Sequence, residues 1–197
     1  MDQTITENID QTQLRDEDAE LVCAARQDAA AFEALYRKWL KPVYRYFYFR
    51  LGNTKDAEDL TARVFLKALN NLSRYRFVGL PFSAWLYRIA HNLIANHHRD
   101  QSRRREIPIE DMAVVNIPAR LPAIDASMGR AQEAEALWKM INDLSPQKRE
   151  LILLKFVEKL SNSEIAAVLN KSESAIKSLY HRTLLEMRER IDRADFD

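Results

Sequence analysis

The chain has 197 residues, with 30 lysines and arginines against 29 aspartates and glutamates, and a formal net charge of +1. Hydrophobic residues make up 47% of it and glycine occurs three times, which argues against β-sandwiches, β-barrels and glycine-rich phosphate loops and favours an all-α protein. The single cysteine, Cys23, excludes an intramolecular disulfide and a cysteine-rich zinc site, and we expect it to be a small buried hydrophobic residue.

The N-terminal segment, residues 1–17, is polar and acidic, which is not the pattern of a signal peptide. We expect it to be a disordered tail. No apolar run of the sequence approaches the roughly 18 to 20 residues that a membrane-spanning helix needs. The expectation is a cytoplasmic protein without membrane insertion.

Apolar residues recur at helical spacing over residues 18–105, which predicts a first domain of four packed helices. The stripe in residues 32–51 contains Pro42, where we expect the helix to kink or restart. Gly52 and Asn53 end this stripe, and Thr54 is the expected N-cap of the next helix. Ser83 is the expected N-cap of the helix that carries the last stripe.

The helical pattern dissolves over residues 106–130, which contain three prolines and predict an extended linker. A second helical domain is expected over residues 131–193. Within it, Ser161 and Glu164 have the spacing of a capping box, and Ser172 is placed to cap the last helix. The fold class expected is therefore two small all-α domains joined by a linker.

The stretch LSNSEIAAVLNKSESAIKSLYHR, from Leu160 to Arg182, has the pattern of a helix-turn-helix. Ala166 is small where the two helices must touch, and Asn170 tolerates the left-handed geometry that the turn requires. The outer N-terminal face of the second helix would then face the major groove. That face carries Ser174, Lys177, Ser178 and His181, with Arg182 within reach of a phosphate. An ordinary helical hairpin has the same spacing.

A polar and basic stripe in the first domain suggests a second nucleic-acid contact. Its residues recur at i, i+4, i+8, i+11 and i+15 and are Arg88, Asn92, Asn96, Arg99 and Arg103. Arginine and asparagine are common partners of phosphates and base edges, although a solvated helix face would look similar. The preceding aromatic-basic loop, RYRFVGLPF, offers side chains on which unpaired bases stack; these are Tyr75, Arg76, Phe77 and Phe82.

Two further stretches complete a recognisable order of motifs. DAEDLTARVFLKAL (Asp56–Leu69) and FSAWLYRIAHNLIANHHR (Phe82–Arg99) precede the linker and the helix-turn-helix. In this order the chain resembles the extracytoplasmic-function (ECF) group of the sigma-70 family of bacterial sigma factors. The first domain resembles sigma region 2 and the second resembles sigma region 4.

The resemblance implies three contact surfaces, formed with core RNA polymerase and promoter DNA. The core enzyme would be bound by the acidic helix, through Asp56, Glu58, Asp59, Leu60, Arg63, Phe65 and Leu66. The non-template strand of the −10 element would be bound by Tyr75, Arg76, Phe77, Phe82, Trp85, Arg88, Asn92, Asn96, Arg99 and Arg103. The −35 duplex would be contacted by Ser174, Lys177, Ser178, Leu179, His181 and Arg182. An anti-sigma factor is a further expected partner.

The sequence departs from the usual pattern of this family at several positions. Arg63 stands where an acid is common, Asn96 where aspartate is common, and Lys171 where an apolar residue is common. Leu179 stands where the family commonly has arginine. A leucine cannot donate a hydrogen bond, so we expect it to contact a thymine methyl group and to alter the −35 preference.

Two other functions remain open from the sequence. One is a stand-alone, dimeric helix-turn-helix regulator, and the other is a helical adaptor that does not bind DNA. No arrangement of nucleophile and base, phosphate loop or catalytic carboxylate pair is recognisable, so we expect neither enzymatic activity nor a cofactor. His97 and His98 are adjacent on a helix and cannot both face one metal ion, so no metal site is expected.

Overall fold

The structure is a computed structural model that describes residues 18–76, 80–104 and 137–194. Within these ranges it contains eight α-helices and no strand, which confirms the all-α expectation. The helices are α1 (residues 18–25), α2 (Ala29–Leu51), α3 (Thr54–Asn71), α4 (Phe82–Arg104), α5 (residues 137–142), α6 (Pro146–Ile152), α7 (Asn162–Leu169) and α8 (Glu173–Ala194). The expected N-terminal tail and linker lie outside the described residues.

The described chain divides into two compact units. One comprises residues 18–48 and 54–104, and the other comprises residues 49–53 and 137–194. No helix in these parts of the chain combines the length and the apolar character that crossing a bilayer requires. The expected ends of the linker, at residues 106 and 130, fall outside the described ranges.

Helix α2 is continuous through Pro42, so the expectation that the helix restarts there is wrong. A proline inside a helix costs about 3 kcal/mol because it removes one backbone hydrogen bond and crowds the preceding turn. Leu35 and Val43, on either side of this position, and Phe47 are completely buried. We infer that their burial, at about 1.5 to 3 kcal/mol for each side chain, outweighs the cost of the proline.

The core of the first unit includes the contact between α3 and α4. Helix α3 buries five apolar side chains at helical spacing, namely Ala57, Leu60, Val64, Phe65 and Ala68.

Helix α4 begins at Phe82, one residue before the expected N-cap. Ser83 is therefore inside the helix, where it is buried, and its expected capping role is wrong. Helix α3 likewise includes Thr54 as its first residue, so Thr54 does not precede the helix as the expected N-cap would.

Helices α7 and α8 of the second unit begin with the caps that the sequence predicts. Ser161 and Glu164 form the capping box, since the Ser161 N–H donates to Glu164 Oε2 at 2.6 Å and the Glu164 N–H donates to Ser161 Oγ at 3.3 Å. Asn170 ends α7 in the left-handed conformation, with φ 53° and ψ 49°. The Ala175 N–H donates to Ser172 Oγ at 3.2 Å, which caps α8.

Cys23 differs from its expectation, because its side chain is exposed. Its neighbours on α1, Val22 and Ala25, are the residues that face the core. A short helix packed on one side leaves the residues between its apolar positions in solvent, and Cys23 is one of these.

Candidate nucleic-acid interface

A cavity of about 370 Å³ opens between the C-terminal end of α3 and the middle of α4. Its apolar and aromatic lining comes from α4 and from Tyr75, and its polar side chains come from both helices and from the turn after α3. The lining residues are Lys67, Asn71, Arg74, Tyr75, Trp85, Ile89, Asn92, Leu93 and Asn96. A cavity of this size that combines an aromatic side chain with several amide and cationic groups can hold a ring with polar edges.

Tyr75 forms a fixed wall of this cavity. Its ring centroid lies 5.0 Å from that of Trp85 and 5.8 Å from that of Phe82, and its hydroxyl donates to the carbonyl oxygen of Leu80 at 3.0 Å. Burial, with a smaller contribution from the charge of Asp18, raises the pKa of the Tyr75 hydroxyl to about 12. The group therefore stays protonated, and keeps this hydrogen bond, at any physiological pH.

Two of the aromatic side chains expected to stack on bases are core residues instead. Tyr75 is 7% exposed and Phe82 is almost completely buried, because they pack on each other and on Trp85. This packing favours a core role for both rings, while the stacking role stays a prediction, and Tyr75 also lines the cavity. Trp85 is partly exposed and lines the cavity, which leaves it as the aromatic candidate.

The polar stripe of α4 lies on the surface, as expected. Arg88, Asn92, Asn96 and Arg99 are all exposed, and the two asparagines border the cavity. Arg76 is exposed beside the loop. Phe77 lies outside the described residues, and Arg103 is in the last turn of α4, where the structure describes the backbone only.

Sequence reasoning missed the residues that α3 contributes to the cavity. Lys67, Asn71 and Arg74 follow one another at i, i+4 and i+7, so they share one side of α3 and of the turn Leu72–Arg74. That spacing by itself indicates a polar side of α3. The resemblance to the family does not include it, because that resemblance rests on the acidic N-terminal end of the helix.

Only some of the α3 residues predicted to bind polymerase are exposed in the structure. Leu60 and Phe65 are buried in the first unit, within the apolar stripe of the helix, and their contact with polymerase stays a prediction. Leu66 is 59% exposed, and Arg63 pairs with Asp59 at 2.9 Å on the surface.

The other acids predicted for docking have distinct surroundings. Glu58 is exposed. Asp56 is partly buried, and its Oδ2 lies 3.7 Å from His97 Nε2 on α4.

Helix α8 presents the expected polar face to solvent, with one exception. Ser174, Lys177, Ser178, His181 and Arg182 are exposed. Leu179 is 8% exposed, because the 100° rotation per residue of a helix places it with Ile176 and Thr183 on the side that faces α7 and the core. This burial favours a core role for Leu179, and its contact with a thymine methyl group stays a prediction.

No cluster of three or more potential metal-ligating side chains occurs within residues 18–76, 80–104 and 137–194. The rings of His97 and His98 are 6.0 Å apart. The candidate site consists of the cavity, the exposed amides beside it and the neighbouring cationic groups.

Comparisons with known proteins match both units to one family. The family model for sigma-70 region 2 matches residues 35–104, and the model for sigma-70 region 4 matches residues 134–187. The ECF RNA polymerase sigma factor SigD of Mycobacterium tuberculosis is 32% identical over 156 residues, which cover 76% of this chain and 71% of SigD. The chain belongs to the ECF sigma factors of the sigma-70 family.

Two other matches qualify this likeness. The ECF sigma factor BldN of Streptomyces coelicolor is 38% identical over 157 residues, which cover 80% of this sigma factor but 59% of BldN. The structure of the sigma factor RpoE of Bartonella quintana, solved with the anti-sigma factor NepR, is 23% identical and covers 82% of this chain and 96% of RpoE, with a TM-score of 0.64. At this identity, the second match shows only that the two proteins share a fold.

Proposed function

We propose that this ECF sigma factor directs RNA polymerase to specific promoters by binding the core enzyme and by recognising the −35 and −10 elements. The observation that carries the proposal is the cavity between α3 and α4. It joins an aromatic side chain, Trp85, to the amides of Asn92 and Asn96 at the edge of an exposed basic stripe. This combination suits a single base that has left the DNA duplex.

In the proposed −10 contact, one base of the non-template strand enters the cavity. Extruding a base costs a few kcal/mol, whereas stacking on an aromatic side chain returns about 1 to 3 kcal/mol. The amides of Asn92 and Asn96 have both donors and acceptors for a base edge. Lys67 and Arg74, which also line the cavity, supply positive charge for the adjoining phosphates.

In the proposed −35 contact, the N-terminal half of α8 enters the major groove. The exposed residues there are Ser174, Lys177, Ser178, His181 and Arg182. Lys177 and Arg182 can bind phosphates or guanine edges, and the serines can bind either kind of partner. Leu179 takes no part, because it packs in the core of the second unit.

In the proposed contact with core polymerase, the exposed side of α3 is the docking surface. It places Leu66, an exposed apolar side chain, within a few residues of Glu58, Asp59 and Arg63. An apolar anchor surrounded by charged groups is a common arrangement at protein interfaces. Asp56 would act at the edge of this surface, beside His97.

The near-neutral charge of the chain supports a dependence on polymerase. Non-specific affinity for DNA comes from the phosphates that lysine and arginine neutralise, and this chain has a net charge of +1. We expect weak DNA binding by the chain alone and tight, promoter-specific binding by the holoenzyme. We also propose an anti-sigma factor as a partner of this chain, by analogy with the RpoE structure, which contains one.

The test is promoter-specific transcription in a reconstituted system. The purified chain is added to core polymerase with a library of promoter fragments, and the start sites are mapped from the 5′ ends of the transcripts. We expect a common −35 and −10 motif, and we expect Trp85→Ala and Asn92→Ala to abolish opening of the −10 region but not core binding. Arg37→Ala is the matched control, since Arg37 is exposed on α2 and, in the described part of the chain, pairs with Glu33 of its own helix at 2.5 Å.

Two results would overturn the proposal. One is the absence of any association with core polymerase together with tight binding of the chain alone to a palindromic site, which would indicate a stand-alone regulator. The other is unchanged transcription by the Trp85 and Asn92 variants, which would remove the role of the cavity.

A further inference from the structure

Arg26 connects two parts of the first unit that are far apart in the sequence. It follows α1 directly, and its Nε donates to the carbonyl oxygen of Leu72 at 3.3 Å. Its Nη2 donates to the carbonyl oxygen of Tyr75. Both carbonyls lie where α3 has ended and the chain enters the loop to α4, and the Leu72 carbonyl also accepts the Tyr75 N–H at 3.2 Å.

The other end of α1 is anchored as well. Asp18 is buried, and its Oδ1 accepts from Lys38 Nζ at 2.9 Å and from Trp39 Nε1 at 3.3 Å, both on α2. The described part of α1 is thus fixed to α2 through Asp18 and to the turn after α3 through Arg26, which follows it. The backbone that carries Arg26 is therefore held in place, and its side chain donates to the Tyr75 carbonyl from a fixed position.

The hydrogen bond to Tyr75 has a direct effect on the cavity. Tyr75 lines the cavity, and its ring contacts Trp85, which lines it too. Its hydroxyl also holds the Leu80 carbonyl on the far side of the loop. A shift of the Tyr75 backbone would therefore move one wall of the cavity and displace the ring that supports Trp85.

We propose that Arg26 is a positioning residue for base capture, which fixes the Tyr75 wall of the cavity and thereby the placement of Trp85. Arg26 lies before residue 35, where the match to sigma-70 region 2 begins, and it lies apart from the cavity itself. This inference rests on the proposed function, because it assumes that the cavity receives a base of the −10 strand.

The test uses the full chain in holoenzyme and a single-stranded probe. The probe carries the −10 sequence found by transcript mapping, with 2-aminopurine at each position in turn, so that the fluorescence reports which base leaves the stack. The variants are Arg26→Met, which keeps the aliphatic stem without its donors, and Arg26→Lys, which keeps one charged donor. Arg37→Met is the matched control, because Arg37 is an exposed arginine of the same unit that pairs with Glu33 on its own helix.

We expect Arg26→Met to weaken binding of the −10 probe by about tenfold, consistent with the loss of a charge-assisted hydrogen bond, and to reduce the 2-aminopurine signal at the captured base. Affinity for core polymerase and for a −35 duplex should stay the same. Arg26→Lys should restore a substantial part of the probe affinity. Tyr75→Phe, which leaves Arg26 intact but removes the hydrogen bond to Leu80, should weaken the 2-aminopurine signal in the same position.

Several outcomes would overturn the inference. One is an Arg26→Met variant that binds the probe as wild type and Arg37→Met do. Another is equal loss of probe, core and −35 binding with a lowered melting temperature and no rescue by Arg26→Lys, which would mean that Arg26 serves folding only. If the wild-type holoenzyme itself gives no position-specific 2-aminopurine signal, base capture by the cavity fails, and the proposed function fails with it.

Discussion

The backbone N–H of Lys171 donates a hydrogen bond to the carbonyl oxygen of Ala166 at 2.9 Å. This bond spans Asn170, whose left-handed conformation turns the chain at the end of α7. The turn is short, since α7 ends at Leu169 and α8 begins at Glu173. The direction of the proposed −35 helix therefore depends on one residue with positive φ.

Asn170→Ala should lower the free energy of unfolding by about 1 kcal/mol, because a left-handed conformation costs a residue with a Cβ roughly 1 to 2 kcal/mol and asparagine less. Asn170→Gly should leave stability unchanged or slightly raised. Urea denaturation followed by circular dichroism measures both. Equal stability of the alanine and glycine variants would contradict the assignment of strain to this turn.

Lys159→Gly should raise the free energy of unfolding by about 1 kcal/mol. Lys159 has φ 54° and lies two residues after the end of the π-helical turn Leu153–Val157. Its position is held by two flanking backbone bonds, from the Glu158 N–H to Leu153 O at 3.1 Å and from the Leu160 N–H to Leu154 O at 2.9 Å.

Lys171→Gly is the matched control for Lys159→Gly, because Lys171 is another exposed lysine of the second unit and has no positive φ. It should bring no gain, since glycine there only adds freedom to the unfolded chain. A melting temperature that rises equally in both variants would rule out relief of backbone strain as the cause.

Leu179→Ala should lower the free energy of unfolding by about 2 to 3 kcal/mol, because it opens a space in a packed core. Leu179→Arg, which introduces the residue common in the family, should also destabilise the second unit, since it brings a charge towards buried Ile176 and Thr183. Ser178→Ala, one residue earlier and exposed, should change stability by less than about 0.5 kcal/mol.

The readout for this Leu179 series is denaturation together with binding to a −35 duplex. Ser178→Ala should change duplex binding without changing stability, and Leu179→Ala the reverse when binding is measured well below its melting temperature. A Leu179→Arg variant that is as stable as the wild type would show that the side chain can leave the core.

The stability of the protein should depend on Tyr75 at alkaline pH. The pKa of Tyr75 is raised to about 12 in the folded state, against about 10 for an exposed tyrosine. Between these values the unfolded state loses this proton first, so the folded state binds more protons and stability falls as the pH rises. A difference of about two between the pKa values of the folded and unfolded states corresponds to about 2 to 3 kcal/mol of unfolding free energy. This contribution is fully lost once the pH exceeds both pKa values.

Tyr75→Phe isolates this effect from other alkaline titrations. It should lower the free energy of unfolding at pH 8 by about 1 kcal/mol through the lost hydrogen bond to Leu80. The gap between wild type and variant should then shrink, and reverse, between pH 10 and pH 12. Parallel pH profiles of the two proteins would refute the raised pKa.

Much of the fold could be predicted because local signals were strong. The capping box at Ser161, the turn at Asn170 and the polar face of α8 follow from spacing within one or two helices, and all three are present. Pro42 was misjudged because the cost of a proline is local, whereas the burial of Val43 and Phe47 that offsets it depends on helices elsewhere in the unit.

The site was predictable only in part, for the same physical reason. Leu60 and Phe65 fall in the apolar stripe of α3, so helical periodicity alone assigns them to the core, while the family motif contains core and contact residues together. The cavity arises where α3 and α4 meet. The spacing of Lys67 and Arg74 already places them on one side of α3 and the turn after it, but the cavity they line forms only when the two helices pack together.

The two sides of α8 have consequences beyond this chain. Ile176, Leu179 and Thr183 hold the helix in the second unit, while Ser174, Lys177, Ser178, His181 and Arg182 lie on the surface. Exchanges among the surface residues leave the buried side intact, so under the proposed −35 contact they would alter DNA preference at little cost in folded protein. A factor built in this way can be redirected to a different set of genes by a few substitutions in one helix, both in the course of evolution and by design.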